Sequence, residues 1–234
     1  MDRWVINIDL EGFSVLWSAD DSVLMALSEL VGAVFRIGRN CYPNSPERLF
    51  AHQVGDGFFI VSEFHESDLE RAVTISAALM QHVASSGRYA KVAISEGRIA
   101  DIKSCYPEEV INEAKNDLSL SIGMGRMSIF PVMGTAIINS VRVVASSPSG
   151  PLLSLENNKS TRIPSHIPFI NVPDTKTISV NWIDMETCLL QEIQRKSQLK
   201  APSRQKLKKT LFDYCNNNKL PKDWISNTKS YLLK

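Results

Sequence analysis

From Arg3 to Asp9 the chain alternates, with Trp4, Ile6 and Ile8 on one face and Arg3, Val5, Asn7 and Asp9 on the other. That is the period of a half-buried strand, and it ends with a carboxylate on the polar face. Beyond it the period lengthens: Val23, Leu27, Leu30, Val31 and Val34 recur at three and four, which predicts a helix capped by Asp20 or Asp21 and ended by Gly38 or Asn40. Two apolar runs, 48–54 and 58–64, flank Gly55-Asp56-Gly57, and an Asp-Gly pair between such runs predicts a hairpin. Ser67 and Glu70 stand as a capping box ahead of Leu69, Val73, Ser76, Met80 and Val83, so a second helix is expected, closed by Gly87. The pattern continues as a strand over 89–95, a short helix over 107–115, a strand over 127–133 and a helix over 135–145.

This order predicts an α+β fold of the ferredoxin-like kind: a mainly antiparallel sheet with helices packed on one face. After the breaker cluster Ser146 to Pro151 the chain is rich in proline and asparagine, with one late strand over 167–172 and helices over 182–199 and 203–215. Two regions are therefore expected: residues 1–180 as the sheet domain and 181–234 as a helical C-terminal extension.

The 234 residues are 44% hydrophobic and 22% charged, with a formal charge of +1. That balance gives no general electrostatic reason to bind nucleic acid or an anionic membrane. The one basic concentration, residues 195–209, holds seven cations and no acid, and reads as the solvated face of a docked tail helix. Cys41, Cys105, Cys188 and Cys215 are far apart and carry no metal-ligand spacing, so reduced thiols are expected. His65, His82 and His166 fall outside the motif segments. No run approaches the roughly 18 apolar residues of a membrane span, and no secretory leader is visible. A cytoplasmic protein with no membrane partner is expected.

Asp9 closes the first strand and Asp56 sits in the hairpin turn. If that strand and the hairpin are neighbours, both carboxylates project at one edge of the sheet, where they repel unless a cation lies between them. Two carboxylates and a backbone carbonyl are hard oxygen ligands suited to Mg²⁺ or Mn²⁺, with phosphates and water completing the shell.

Asp9-Leu10-Glu11-Gly12-Phe13-Ser14 resembles the D-x-x-G-F-[ST] motif of class III nucleotide cyclases, and Gly55-Asp56-Gly57 resembles their hairpin. Val92 to Gly97 is similar to the family strand V-G-I-H-x-G. Phe130 to Arg142 is similar to the segment ending in G-x-x-x-N-x-x-x-R. The resemblance spans about Trp4 to Val143. It implies that Asp9, Asp56 and the Leu10 carbonyl hold two metal ions, and that the amides from Leu10 through Glu11 and Gly12 to Phe13 cradle phosphates. Arg142 would then stabilise charge on the α-phosphate. It also implies a homodimer in which each site draws the metal aspartates from one chain and the base pocket and arginine from the other.

The chain departs from the family at the nucleoside. The ribose asparagine is expected four residues before Arg142, where Ile138 stands; Asn139 is the available amide, one residue out of step. Where purine cyclases carry a base-reading lysine this chain has His52, and its partner position is Pro131. Phe50 and His52 share a strand face and suit a smaller ring. The chain thus resembles the pyrimidine cyclases of the Pycsar antiphage defence type. This implies cyclisation of UTP, then CTP, to a 3′,5′-cyclic monophosphate read by a separate effector protein. The alternatives are an adenylate or guanylate cyclase, a non-catalytic nucleotide-binding regulator of the same fold, and, last, a palm enzyme acting on nucleic acid.

Overall fold

The computed structural model describes residues 2–13, 22–43, 49–114, 119–129 and 132–233. Its first half runs β1 (Arg3–Leu10), α1 (Ser22–Cys41), β2 (Leu49–Val54), β3 (Gly57–Ser62), α2 (Glu70–Ala84), β4 (Ala90–Gly97), β5 (Ala100–Asp101) and α3 (Glu108–Ala114). Then follow β6 (Ser119–Ile122), β7 (Gly125–Ser128), β8 (Val132–Met133), α4 (Thr135–Ser146), β9 (Leu153–Glu156), β10 (Phe169–Asn171) and β11 (Thr177–Val180). The tail is α5 (Cys188–Lys196), α6 (Arg204–Asn217) and α7 (Lys222–Leu232).

The main sheet is ordered β10-β11-β9-β4-β1-β3-β2. Its β4-β1-β3-β2 portion, with α1 and α2 as crossovers, is the ferredoxin-like arrangement that the element order predicts. β1 lies between β4 and β3, antiparallel to both. β9 adds in parallel to β4.

Trp4, Ile6 and Ile8 are buried with Ile60, Ile94 and the inner faces of α1 and α2, as the alternation requires. The expectation of helices on one face is corrected: α4 covers the other. Val5 and Val61, paired across β1 and β3, interrupt the polar face and pack with Ala136 in a second small core, and the Ser95 hydroxyl donates to the Ala136 carbonyl. Burying that valine pair required a helix over it.

Other boundaries shift for local reasons. The Ser67–Glu70 capping box does not form: Ser67 Oγ donates to Asp68, and the Asp68 carboxylate accepts from the Glu70 amide at 3.0 Å. The expected strand over 127–133 divides into β7 and β8, and Gly123-Met124 makes the turn of a β6–β7 hairpin. The expected first-helix caps, Asp20 and Asp21, lie outside the described residues.

The tail is not a separate core. Leu190, Ile193, Leu207, Leu211, Trp224 and Leu232 all join the cluster built on Trp4 and Ile6. Several cations of the basic run pair with acids: Lys200 with Glu29, Arg204 and Lys208 with Asp184, Lys196 with Glu192. The tail is docked by its apolar side chains, Leu207 and Leu211 among them, and of these ion pairs the one from Lys200 to Glu29 joins it to α1.

His82 fastens the segment leading into α6. Its Nδ1 accepts from the Lys200 amide at 2.8 Å, and its Nε2 lies 3.0 Å from Glu29 and 3.2 Å from Arg36 Nη2. Burial pulls its pKa below the ordinary 6.5, against the opposing pull of Glu29, while Arg36 and Lys200 push the same way as burial. Below pH 6.5 the unfolded chain therefore takes up a proton that the folded chain resists, and the His82 contribution to stability falls as pH drops. Urea unfolding at pH 7.5 and 5.5 isolates that loss by comparison: on going to pH 5.5 wild type should fare worse relative to His82→Gln, and an equal change in the two proteins would exclude His82 as its source.

Candidate active site

β1 delivers Asp9 to the sheet edge between two strands. On one side Asp9 is paired with Lys91 of β4. On the other, the register Ile8↔Phe58 brings the β2–β3 turn alongside. Gly57 permits that approach: a Cβ there would press on the Ile8 carbonyl and lie 2.9 Å from Asp9 Oδ1 and 3.2 Å from Asp9 Cα.

The approach brings the carboxyls of Asp9 and Asp56 within hydrogen-bonding reach of each other. Although Asp9 is exposed at the rim, its pKa rises from 3.8 to about 6. Partial burial is the first cause, then the charges of Asp56 and Glu11 and the hydrogen bond to Asp56, while a bond from the Leu10 backbone opposes. Two acids pressed together in this way suit a hard divalent cation. Among the described residues no group of three or more His, Cys, Asp or Glu is arranged to hold a metal. A bound ion would therefore need further oxygens from backbone, phosphate or water, and the Leu10 carbonyl adjoins.

Lys91 is the cation that the sequence reading missed. Its Nζ donates to the carbonyls of Val144 at 3.1 Å and Ser147 at 3.3 Å, near the end of α4. Burial lowers its pKa, with Glu11 and Asp9 pulling the other way. Extending the β1 alternation across an antiparallel neighbour would have revealed it.

The loop after β1 turns at Gly12, whose φ of 76° suits glycine. The Glu11 amide donates to the Tyr89 carbonyl at 2.9 Å, and its carboxylate accepts from Trp224 Nε1 of α7 at 2.6 Å. Burial raises the Glu11 pKa, with Trp224 and Lys91 opposing. Leu10 is buried, Phe13 packs on the main core, and Ser14 lies outside the described residues.

A second constellation lies elsewhere. His52 of β2, Val54, Met133, Gly134, Ile138 and Val141 line a cavity of about 720 Å³, and burial lowers the His52 pKa. Ile138, four residues before Arg142, faces this cavity. Asn139 is not among its lining residues; its Oδ1 instead accepts from Arg142 Nη1 at 3.5 Å. One residue turns a helical side chain by about 100°, which accounts for the difference. Arg142 is exposed. The side chain of Phe50, and Phe130 and Pro131 altogether, lie outside the described residues. Among those described, the cavity lining includes neither Asp9 nor Asp56, so of the predicted site residues the fold brings together the two carboxylates and places only His52 at this cavity.

No protein-family model and no curated protein sequence matches the chain. Solved structures do. The guanylyl cyclase domain of the RhoGC fusion protein from the aquatic fungus Blastocladiella emersonii is 13% identical, with a TM-score of 0.51 over 76% of this chain and 93% of that one. The guanylyl cyclase Cya2 is 12% identical, with a TM-score of 0.47 over 77% and 92%. A bacterial light-regulated adenylyl cyclase is 12% identical, with a TM-score of 0.49 over 85% and 57%. At such identities the likeness is one of fold, and on the fungal match the chain has the α+β fold of the class III cyclase catalytic domain.

Proposed function

We propose that the chain is a nucleotide cyclase that converts a ribonucleoside triphosphate, UTP first and CTP next, into a 3′,5′-cyclic monophosphate and pyrophosphate. The observation that carries this reading is the convergence of Asp9 and Asp56 at the edge of a cyclase-type sheet. Asp9, Asp56 and the Leu10 carbonyl would hold two Mg²⁺ or Mn²⁺ ions; when bound, such ions acidify the ribose 3′-hydroxyl and neutralise the triphosphate.

The remaining work falls to the chain. Of the predicted phosphate cradle, the Glu11 amide is taken by the Tyr89 carbonyl, which leaves the amides of Leu10, Gly12 and Phe13 to orient phosphate oxygens, and Lys91 adds positive charge beside Asp9. The 3′ oxygen bonds to the α-phosphorus as the bond to pyrophosphate breaks, and the hydroxyl proton passes to solvent. Arg142 meets the charge that develops on the α-phosphate. His52, with Phe50, reads the base; a half-buried neutral imidazole offers one donor and one acceptor to a small ring. Asn139 takes the ribose-orienting role once Arg142 turns to substrate.

The site is completed by a second copy. The cavity around His52 is rimmed by exposed apolar side chains, Val54 52%, Met133 54%, Ile138 46% and Val141 49% exposed, a surface suited to a partner chain. In this reading the sites lie at the homodimer interface in the cytoplasm, the product serves antiphage defence through a separate effector protein, and neither membrane nor nucleic acid takes part. Among the described residues no helix is long and apolar enough to cross a membrane. The bond between Asn139 and Arg142 keeps one other reading in view, a non-catalytic nucleotide-binding regulator.

Purified protein incubated with Mn²⁺ and each of the four ribonucleoside triphosphates tests the proposal. Cyclic UMP, with less cyclic CMP, is expected; product from ATP or GTP alone would reverse the base assignment, and no pyrophosphate from any of the four would favour the regulator. Mixing Asp56→Ala with Arg142→Ala protein should recover activity, since each mixed dimer has one intact site. Failure of the mixture to recover any activity would count against a shared site.

A further inference from the structure

Trp224 belongs to the tail, yet it bonds to the residue between Leu10 and Gly12. Its indole N–H reaches the Glu11 carboxylate at 2.6 Å, and the ring is almost fully buried. The contact is one side of a closed circuit. The Glu11 amide donates to the Tyr89 carbonyl, the Tyr89 ring meets the Tyr214 ring edge-on at 4.9 Å, and Tyr214 packs on Trp224 at 5.8 Å. Arg88 Nη1 lies 3.5 Å from the Tyr214 hydroxyl, and Arg88 Nε donates to Ser22 Oγ at the start of α1 at 2.9 Å. Main chain and side chain of Glu11 are thus each held, the one by Tyr89 just before β4 and the other by Trp224 of α7.

A charge-assisted bond of this kind restrains a loop more than a neutral one. Glu11 adjoins Leu10, whose carbonyl is assigned to the metals, and Gly12, whose amide is assigned to phosphate. We infer that Trp224 is a positioning residue: through Glu11 it holds the loop from Leu10 to Phe13 in the shape that binds metal and triphosphate, so the tail is a working part of the site. The inference rests on the cyclase reading of that loop.

The test is a double-mutant cycle read by thermal shift, titrating Mn²⁺ alone and Mn²⁺ with UTP. Trp224→Phe keeps a ring in the aromatic stack and removes only the N–H. It should raise the Mn²⁺–UTP concentration at half-maximal shift by roughly tenfold, and raise KM more than it lowers kcat. Glu11→Ala should do the same, and the double variant should be no worse than the worse single one, because both remove one interaction. Asn227→Ala, which removes the bond from α7 to the Ser149 carbonyl, should leave the half-point in place. Additive losses, a wild-type half-point for Trp224→Phe, or an equal shift for Asn227→Ala would overturn the inference. If wild-type protein shows no Mn²⁺–UTP shift at all, it is the cyclase reading that fails.

Discussion

Asp56→Asn is expected to reduce cyclisation by about a thousandfold or more, while leaving the metal-free protein at least as heat-stable as wild type. The substitution keeps the turn, since Asn-Gly serves a hairpin as well as Asp-Gly. It removes the charge that, after burial, does most to raise the Asp9 pKa to about 6. In wild type the folded chain holds a proton on Asp9 between pH 3.8 and about 6 that the unfolded chain has released. The Asp9 contribution to metal-free stability should therefore decline as pH rises through that window, against the opposite slope contributed by His82. In Asp56→Asn the decline should be shallower. Melting curves in EDTA from pH 4 to 7, beside a product assay with Mn²⁺, check both halves. A less stable variant with retained activity would contradict the account. Two acids that cost stability when unpaired yet carry the reaction when bridged are a usual compromise at functional sites.

The second large effect is expected from Gly57→Ala. Its added methyl has no room beside the Ile8 carbonyl and the Asp9 side chain, so β1 and the hairpin must separate. Overpacking of this kind costs about 1–3 kcal/mol. A displacement of the two carboxyls by about 1 Å should lower activity by roughly a hundredfold. Gly38→Ala is the control: it lies inside α1 with nothing near the added atom, and should be neutral or stabilising by up to about 1 kcal/mol. Chemical denaturation and initial rates on both variants make the comparison; equal behaviour would show that close approach at Gly57 is unimportant.

Much of this was legible in the chain because strand alternation and turn chemistry are local. The alternation over Arg3 to Asp9 placed Trp4, Ile6 and Ile8 in the core, and the Asp-Gly pair placed a hairpin at 55–57; the structure has both. The sidedness of the sheet was not legible. Val5 stood on the strand's polar face and Val61 inside an apolar run with no face assigned, and only their cross-strand pairing called for a covering helix. β9 and β11 were missed because each is only four residues long and the chain between them is rich in breakers. The site divided along the same line. Asp9 and Asp56 announce themselves by motif, whereas Lys91 depends on register across β4 and the Trp224–Glu11 bond spans 213 residues. Contacts of that separation leave no local pattern to read.

In the proposed cyclase the carboxylates at 9 and 56 jointly hold divalent ions against a triphosphate. Electron paramagnetic resonance of Mn²⁺ titrated into protein with UTP measures this binding directly, because bound Mn²⁺ leaves the free-ion signal. The account predicts that wild type with UTP removes more Mn²⁺ from that signal than the same UTP does without protein, and that Asp9→Asn and Asp56→Asn each weaken this added uptake severely. Mn²⁺ uptake by either variant equal to that of wild type would contradict it.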